Sequence, residues 1–295
     1  MQRSGWGGLN VEQVGFIGLG MMGKPMAMNL VSKGVSVTSL DAAGVTIPGA
    51  AAAADAAALA QAARLVILML PDSGIVASVM AALLPALQPG SLVVDMGSSE
   101  PGETRRWAAA LGQKGCGMLD APVSGGVTKA RAGTLAIMVG GGDADYARAE
   151  PVLKAVGENL IRTGGIGSAH AMKALNNYVY AAGLLAVSEA AQMAEAQGLD
   201  LGIFASVLNA SSGRNIASET KLAQEMTSGR YAGGFQLGLM RKDLETAGSI
   251  SEQTGVAADM LQLCRGVWTE ALSEYGPKVD NTEIHRFIKS RPVTV

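Results

Sequence analysis

Short runs of apolar residues alternate with helix-length segments through the first half of the chain. Such runs occur at residues 14–17 (VGFI), 65–70 (LVILML) and 92–95 (LVVD). Each is short and apolar at successive positions, as expected of a strand that is buried on both faces of a sheet. Segments of helical composition follow these runs, and that alternation is typical of βαβ units with a mostly parallel sheet.

The pattern predicts one doubly wound α/β domain over residues 13–164. Its predicted strands are residues 14–17, 35–41, 65–70, 92–95, 118–120, 136–139 and 159–162. Its predicted helices are residues 21–33, 50–63, 75–84, 103–111 and 143–156. The first of these helices carries Pro25 in its first turn, where the missing N–H costs little.

The second half of the chain has no convincing strand. Residues 168–197 keep a helical composition without proline, and Gly198 follows as a stop. A helix of about 30 residues is about 45 Å long, which is enough to join two domains. Further helices are predicted at 201–208, 217–226, 237–254, 257–274 and 282–288. We therefore expect an all-α domain over residues 165–295, joined to the first domain by the long helix.

Composition narrows the classes of function. The chain has 295 residues, 48% of them hydrophobic, a net charge of −2 and no basic run. These values argue against disorder, nucleic-acid binding and attachment to an anionic membrane. Two cysteines and two histidines, far apart, predict neither a disulfide framework nor a histidine-rich metal site, so no metal is expected.

Two further expectations concern location. No segment reaches the roughly 20 apolar residues of a membrane span. The first thirteen residues lack the apolar run of a signal peptide and are expected to form a short disordered tail. We therefore expect a cytoplasmic protein.

The first predicted strand runs directly into a glycine-rich turn, GLGMMG, at residues 18–23. In the dinucleotide fingerprint, Gly18 would permit the tight turn and Gly20 would let the backbone approach a pyrophosphate. Gly23 would allow close packing of helix on strand. The other residues of the loop that are expected to contact the cofactor are Leu19, Met21 and Met22. The motif alone is a weak signal, but here it follows a predicted strand and opens a predicted helix.

Asp41 ends the second predicted strand, about 20 residues after the loop, where a carboxylate accepts hydrogen bonds from the adenosine ribose. It would repel the 2′-phosphate of NADP. The next residues, Ala42, Ala43 and Gly44, include no arginine to hold that phosphate. NAD is therefore favoured over NADP. The alternative is that Asp41 caps a turn.

A polar pair interrupts the small and apolar start of the long helix. Lys173 and Asn177 are four residues apart, so a helix would place them on one face, one turn apart. An amine that carries a proton beside an amide is suited to alcohol or carbonyl chemistry. Asn176 would point about 100° away. A lysine on a helix is more often solvated, so the pair alone does not establish a site.

Four segments together resemble the β-hydroxyacid dehydrogenase family, which includes 3-hydroxyisobutyrate dehydrogenase. They are GFIGLGMMGKPMAMNL (15–30), DAPVSGG (120–126), the lysine segment (165–179) and MRKDL (240–244). They keep the family's order and extend over nearly the whole chain. The resemblance implies a Rossmann domain and a C-terminal domain like that of 6-phosphogluconate dehydrogenase. It also implies a homodimer or homotetramer.

The same resemblance implies roles for single residues. Lys173 would be the general acid and base that exchanges a proton with the substrate hydroxyl, and Asn177 would position the substrate. Ser124, Gly125 and Gly126 would hold the substrate carboxylate, because a hydroxyl and consecutive glycine N–H groups make an anion nest. The remaining residues with an implied cofactor contact are Leu70, Pro71, Ser98 and Lys242.

These observations predict a metal-independent, NAD-dependent dehydrogenase that acts on the CH–OH group of a small 3-hydroxy acid. The product would be a semialdehyde or 3-oxo acid. One alternative is a reductase of glyoxylate, succinic semialdehyde or an imine on the same fold, although imine reductases generally replace Lys173. Another is a non-catalytic nucleotide-sensing or chromatin-reader module. Lactate-like 2-hydroxy acids, threonate, 3-hydroxyisobutyrate, serine and sulfonated three-carbon alcohols stay unranked, and the reaction direction stays open.

Overall fold

The computed structural model describes residues 12–291. The chain divides into two compact units, Met1–Lys173 and Ala174–Val295. The division falls inside a long helix, whereas the sequence predicts a boundary between residues 164 and 165, so the domain boundary stays a prediction. The predicted fold class is confirmed, with a doubly wound, mostly parallel sheet in the first unit and helices in the second.

One nine-stranded sheet forms the centre of the first unit. Its strands are β1 Val14–Ile17, β2 Val37–Leu40, β3 Ala51–Ala52, β4 Leu65–Leu68, β5 Leu92–Asp95, β6 Gly117–Asp120, β7 Val123–Ser124, β8 Leu135–Gly140 and β9 Gly157–Gly164. Their order is β3-β2-β1-β4-β5-β6-β8-β7, with β9 paired to β8. Neighbours from β3 to β6 are parallel, whereas β8 is antiparallel to β6 and β7. The strand order switches direction between β1 and β4, which is where open α/β sheets bind ligands.

The central strands are apolar at successive positions because both faces of the sheet are covered. In β4, Leu65 and Ile67 belong to one core cluster, while Val66 and Leu68 belong to another. The helices of this unit are α1 Gly23–Ser32, α2 Ala56–Ala62, α3 Ser73–Leu83, α4 Pro101–Gln113, α5 Gly126–Ala132 and α6 Asp143–Val156. Residues of α1 and α6 complete the first cluster, and residues of α2 and α3 complete the second.

The alanine-rich segment at residues 50–63 is not the single helix that its composition predicts. Ala51 and Ala52 pair with β2 as the strand β3, and α2 begins only at Ala56. The late start has a local cause. Asp55 accepts the N–H of Ala58 at 2.8 Å and caps the helix there.

Two short elements lie outside the predicted set. β7 has two residues and α5 has seven, and they follow each other in or directly after the DAPVSGG segment. Neither is long enough to show a repeat of apolar positions, so the sequence pattern does not reveal them. β7 also adds one of the antiparallel pairings of the sheet.

The long helix is confirmed as α7, Ser168–Ala196, and it runs through the division between the units. The other helices of the second unit are α8 Leu201–Ala210, a π-helix Ser218–Met226, α9 Leu237–Thr254, α10 Asp259–Tyr275, a 3₁₀-helix Asn281–Glu283 and α11 Ile284–Ser290. Within the described residues, no strand follows β9 apart from one isolated bridge between Gln236 and Asp280. Trp268 is fully buried in the core of this unit.

The predicted disordered tail is wrong for its last two residues. Residues 1–11 lie outside the described part of the chain, but Glu12 and Gln13 make side-chain contacts. Arg148 Nε donates to Glu12 at 2.6 Å, and Gln13 donates to Thr38 Oγ1 at 2.7 Å. These bonds order the chain before β1. None of the helices in residues 12–291 is long and apolar enough to cross a membrane.

Candidate active site

The carboxyl ends of five parallel strands lie at one edge of the sheet. β1, β2, β4, β5 and β6 are paired in parallel, so the loops that follow them emerge side by side. The residues predicted at the cofactor follow four of these strands: Gly18 after β1, Asp41 after β2, Leu70 and Pro71 after β4, and Ser98 after β5. The fold therefore brings these residues to a common edge.

The glycines of the first loop occupy three different environments. Gly18 has a φ of 98°, and a Cβ there would overlap the carbonyl oxygen of Met69. A Cβ on Gly23 would overlap the carbonyl oxygen of Gly18, so α1 packs directly against the loop. Around the Cβ position of Gly20, by contrast, no atom beyond the chain neighbours lies within 4 Å. The loop is tight at its ends and open in its middle, which fits a pyrophosphate.

The start of α1 adds to this fit. Met22 is the N-cap residue and makes no side-chain capping hydrogen bond, and the first turn of α1 contains no acidic residue. An uncapped helix N-terminus presents backbone N–H groups and the positive end of the helix dipole. The uncapped N–H groups suit this end of the loop to an anionic group, and Met21 beside them is exposed.

The loops after β4 and β5 touch each other. A Cβ on Gly97 would lie 2.6 Å from the carbonyl oxygen of Leu70, so only a glycine allows this approach. Asp95 is fully buried at the end of β5 and orders the next turn. Its carboxylate accepts the N–H of Gly97 at 3.0 Å and the hydroxyl of Ser99 at 2.6 Å. Ser98 lies between those residues, next to the Leu70 loop.

Asp41 contacts the glycine loop directly. Its Oδ2 accepts the N–H of Leu19 at 2.7 Å, and its Oδ1 accepts the N–H of Ala43 at 2.9 Å. The second bond caps the turn after β2, so Asp41 does cap a turn, as the alternative interpretation of the sequence predicted. The first bond holds the carboxylate beside the loop, where it fits the ribose hydroxyls of a dinucleotide.

Asp120 belongs to the site but was missed in the sequence. It ends β6, is fully buried, and accepts the N–H groups of Gly167 and Ala169 at 2.8 Å and of His170 at 2.9 Å. It therefore caps the start of α7. Asp120 is the first residue of DAPVSGG, yet its partners follow 47 to 50 residues later, so no local signal identifies them.

Lys173 and Asn177 are both buried on α7, with 8% and 5% of their surfaces exposed. Asn176 is exposed, as expected from its different direction on the helix. The Nδ2 of Asn177 donates to Asp243 Oδ2 at 2.5 Å, and its Oδ1 accepts the Nδ2 of Asn176 at 3.1 Å. These bonds set the orientation of the Asn177 amide.

Asp243 is the second residue that the sequence reasoning missed, although it stands beside Lys242 in MRKDL. It is buried in α9, and its bond to Asn177 spans 66 residues. The Nζ of Lys242 lies 3.2 Å from the other carboxylate oxygen of Asp243. The structure thus places Lys242 in the Asn177–Asp243 cluster, while its predicted contact with the cofactor stays a prediction.

Ser124 ends β7 and precedes two glycines with positive φ, 134° at Gly125 and 66° at Gly126. A Cβ on Gly125 would lie 2.6 Å from Cδ of Lys129. Successive N–H groups in turns of this kind can hold an anion. The partly buried hydroxyl of Ser124 beside them is compatible with the predicted carboxylate site, and that role stays a prediction.

Two family models match nearly the whole chain. Residues 13–165 match the NAD binding domain of 6-phosphogluconate dehydrogenase. Residues 167–288 match the model described as NAD-binding of NADP-dependent 3-hydroxyisobutyrate dehydrogenase. The two matches meet just before α7.

Individual relatives are named for hydroxy acids. The 2-(hydroxymethyl)glutarate dehydrogenase of Eubacterium barkeri is 36% identical over 87% of this chain and 88% of that protein. The NAD-dependent L-serine dehydrogenase of Pseudomonas aeruginosa is 34% identical over 90% of this chain and 93% of that protein. Among solved structures, Mycobacterium tuberculosis 3-hydroxyisobutyrate dehydrogenase with L-serine has a TM-score of 0.89 at 30% identity. The match covers 95% of this chain and 100% of that chain.

These matches agree with the geometry of the described residues. The first model covers the sheet whose edge carries the glycine loop, and the second covers the helices that carry Lys173, Asn177 and Asp243. The relatives are dehydrogenases of hydroxy acids, and the matched models are of NAD-binding domains. The chain belongs to the β-hydroxyacid dehydrogenase family.

Proposed function

We propose that the protein is an NAD-dependent dehydrogenase that interconverts a small 3-hydroxy acid and the corresponding semialdehyde or 3-oxo acid without a metal. One observation carries the proposal: Lys173 is buried one helical turn from a buried Asn177. A buried amine one helical turn from a buried amide is suited to exchanging a proton with a substrate hydroxyl.

Lys173 acts as the general acid and base. It takes the proton of the substrate hydroxyl during oxidation and returns it during reduction. A bound nicotinamide supplies the hydride acceptor or donor. Proton transfer by a positioned side chain contributes about 10²–10⁴-fold to a rate, and the remaining acceleration comes from holding the substrate in the reactive geometry.

Asn177 orients the substrate hydroxyl. Its amide has two N–H donors and two lone pairs on oxygen, and the bonds to Asp243 and Asn176 use one of each. One donor and one lone pair are therefore left for a substrate. Because the Asp243 carboxylate fixes the amide, this group needs no reorganisation when the substrate binds.

The relatives indicate a common substrate skeleton. The names of the relatives and of the similar solved structure contain L-serine, 3-hydroxyisobutyrate and 2-(hydroxymethyl)glutarate. All three compounds contain HOCH₂–CH(R)–COO⁻ and differ in R. In this proposal Ser124, Gly125 and Gly126 bind the carboxylate, and Lys173 meets the hydroxyl. The group R then distinguishes the substrates.

The preference for NAD rests on Asp41. Its carboxylate is held beside the glycine loop by the Leu19 N–H, and a 2′-phosphate there would meet a like charge. We expect NADP to bind at least about tenfold more weakly than NAD, a difference of about 1.4 kcal/mol. Asp41→Ala should narrow the difference between the affinities for NAD and NADP. Asp55→Ala removes a helix cap in the same unit and should leave that difference unchanged. Equal affinity of the wild type for both nucleotides would contradict this part of the proposal.

A substrate panel tests the reaction. L-Serine, 3-hydroxyisobutyrate and 2-(hydroxymethyl)glutarate would be offered with NAD and NADP. Glyoxylate, succinic semialdehyde and a cyclic imine would be offered with NADH and NADPH. We expect turnover of at least one HOCH₂–CH(R)–COO⁻ compound with NAD. Turnover confined to glyoxylate or the imine would instead support the reductase alternative, and tight NAD binding without any turnover would support the nucleotide-sensing alternative.

We also propose that the chain forms a homodimer or homotetramer. Large apolar side chains are exposed on two helices of the second unit, with Val179 68% exposed and Met193 63% exposed on α7, and Ile203 67% exposed on α8. Such side chains favour contact with another surface. Light scattering should give a mass of at least two chains, and a species of 30.0 kDa, the mass of one chain, would contradict the proposal.

A further inference from the structure

His170 lies in the first turn of α7 with 1% of its surface exposed. Its Nδ1 is 2.8 Å from Oγ1 of Thr104 in α4. Its Nε2 has no hydrogen-bond partner among the described residues and lies 3.9 Å from Oδ2 of Asp95. A buried ring nitrogen without a partner is rare, and here it faces a carboxylate.

Two buried carboxylates lie at this end of α7. Asp95 and Asp120 are register partners on β5 and β6. Asp120 is compensated by three backbone N–H groups at the positive end of the α7 dipole. Asp95 accepts only one N–H and one hydroxyl in the described contacts. His170 Nε2 lies within ion-pair range of Asp95.

The hydrogen bonds around the imidazole locate its proton. Thr104 Oγ1 is also 3.1 Å from the carbonyl oxygen of Glu100. If the hydroxyl donates to Glu100, then Nδ1 donates to Thr104, and a second proton on Nε2 makes an imidazolium beside Asp95. If the hydroxyl donates to Nδ1, the neutral ring carries its proton on Nε2. The remaining form would direct a bare Nε2 lone pair at a buried carboxylate, which is unfavourable.

We propose that His170 is a positioning residue whose Nε2 proton, directed at Asp95, joins the turn that carries Ser98 to the helix turn that carries Lys173. Lys173 follows three positions later on the same face of α7, so the rotation of the first turn sets the direction of the lysine. The ring of His170 contacts Thr104 from α4 and faces Asp95 from β5, and its backbone N–H donates to Asp120 from β6. The kinetic part of this inference rests on the proposed role of Lys173.

The location of the proton is measured without substrate or cofactor. The chain has two histidines, so His285→Gln leaves His170 as its one imidazole. Long-range ¹H–¹⁵N correlations of the ¹⁵N-histidine-labelled variant distinguish the imidazolium and the two neutral tautomers. We expect a proton on Nε2 at neutral pH, in either the imidazolium or the Nε2–H form. A neutral ring with its proton on Nδ1 overturns the proposal, whatever the substrate proves to be.

Two substitutions distinguish a hydrogen-bonding role of the Nε2 proton from a packing role of the side chain. His170→Gln can direct an amide N–H toward Asp95, whereas His170→Asn is too short to do so. With L-serine or 3-hydroxyisobutyrate and NAD, we expect His170→Asn to lower kcat by about 10–100-fold and to change KM little, as for a misplaced catalytic group. His170→Gln should recover most of that loss. His285→Asn, which removes the other buried imidazole, should leave kcat unchanged.

Hydrogen exchange provides a readout that does not need turnover. His170→Asn should speed exchange of the amides of residues 167–173 relative to the wild type, and His170→Gln and His285→Asn should not. Equal losses of kcat in His170→Asn and His170→Gln would overturn the positioning role, as would a wild-type kcat in His170→Asn. If the wild type turns over none of the probes, the proposed function fails, while the NMR and exchange results still decide the location of the proton and its effect on α7.

Discussion

The glycine loop and the start of α7 both direct backbone N–H groups at a buried or partly buried carboxylate, but the partners come from very different distances along the chain. In the loop, the Leu19 N–H meets Asp41, 22 residues away, inside one βαβ unit. At α7, the N–H groups of Gly167 and His170 meet Asp120, which lies 47 and 50 residues away. The first arrangement lies within one βαβ unit, where the spacing between loop and carboxylate is short. The second exists only because β6 and α7 pack together.

This difference also separates two kinds of function. The loop is shaped by the backbone, since each glycine serves through the absence of a side chain. In the proposed function the α7 region depends on side chains, because Asp120, Asp243 and the contacts of His170 would hold Lys173 and Asn177 in one direction. Substitutions in the two regions should therefore fail in different ways.

The largest effect is expected at Lys173. Lys173→Ala should lower kcat by about 10²–10⁴-fold while NAD binding persists, because proton transfer is lost and the loop is untouched. Lys173→Arg should be similarly inactive, since an arginine keeps the charge but does not release its proton. Single-turnover rates and NAD titration measure the two quantities. Lys154→Ala, which removes an exposed lysine paired with Glu150, is the control. A kcat near the wild-type value in Lys173→Ala would refute the assignment.

Substitutions in the glycine loop should weaken either NAD binding or folding stability, depending on which glycine is replaced. Gly23→Ala would push a methyl group into the carbonyl of Gly18, so we expect the free energy of unfolding to fall by about 1–3 kcal/mol. Gly20→Ala meets no atom within 4 Å, so the fold should persist while NAD affinity falls by about tenfold. Thermal melting and NAD titration separate the two outcomes. Gly102→Ala, also in open space but in α4, should change neither, and unaltered NAD binding in Gly20→Ala would remove the loop from the cofactor site.

A smaller effect is expected at Asp243. Asp243→Asn removes a charged acceptor from the Asn177 amide, and hydrogen bonds to charged groups contribute about 1.5–3 kcal/mol. We expect kcat to fall by about tenfold or more with little change in NAD affinity. Glu245→Gln, two residues further along α9, removes a partly exposed carboxylate that pairs with Arg241 and Arg265 and should leave kcat unchanged. Equal kcat values for the two variants would show that Asp243 does not orient Asn177.

The smallest expected effect is on the pH dependence of stability, through His285 in the second unit. Burial, with the nearby positive charge of Lys289, lowers the pKa of His285 below its ordinary value of 6.5. Above pH 6.5 the ring is neutral in both the folded and unfolded chain. As the pH falls below 6.5, the unfolded chain binds the proton more readily, so stability is lost until the pH passes the lowered pKa of the folded state.

Replacing His285 should therefore flatten the pH dependence of stability. Between about pH 7 and pH 5, the melting temperature of the wild type should fall by about 2–4 °C more than that of His285→Gln. Calorimetry at the two pH values measures the difference. The same slope in both proteins would mean that burial of His285 does not couple folding to pH.

The sequence predicted most of the architecture because the signals are local. Runs of apolar residues marked the buried strands, and the proline-free segment marked α7 to within one residue at its end. Errors occurred where a local feature was overridden. Alanines 51 and 52 have helical propensity but pair with β2, and Asp55 delays the start of α2. β7 and α5 are too short for any periodic signal.

The site was predictable only in part, for the same reason. Helical periodicity predicted the common face of Lys173 and Asn177, because residues four apart lie one turn apart, but their proposed roles came from the family resemblance. The contacts of Asp120 and Asp243 were not predicted because both side chains form hydrogen bonds to residues far along the chain. No local sequence pattern identifies the partners of these bonds.

The order of the longer strands and helices, the glycine turn after β1 and the common face of Lys173 and Asn177 follow from local sequence. These properties depend on backbone sterics and helical periodicity over a few residues. The identities of the carboxylates that cap α7, orient Asn177 and face His170 depend instead on the packing of distant segments. Those contacts join residues that are 47 to 75 positions apart, and they form only after the sheet and helices have packed, because burial makes an unpaired polar group costly.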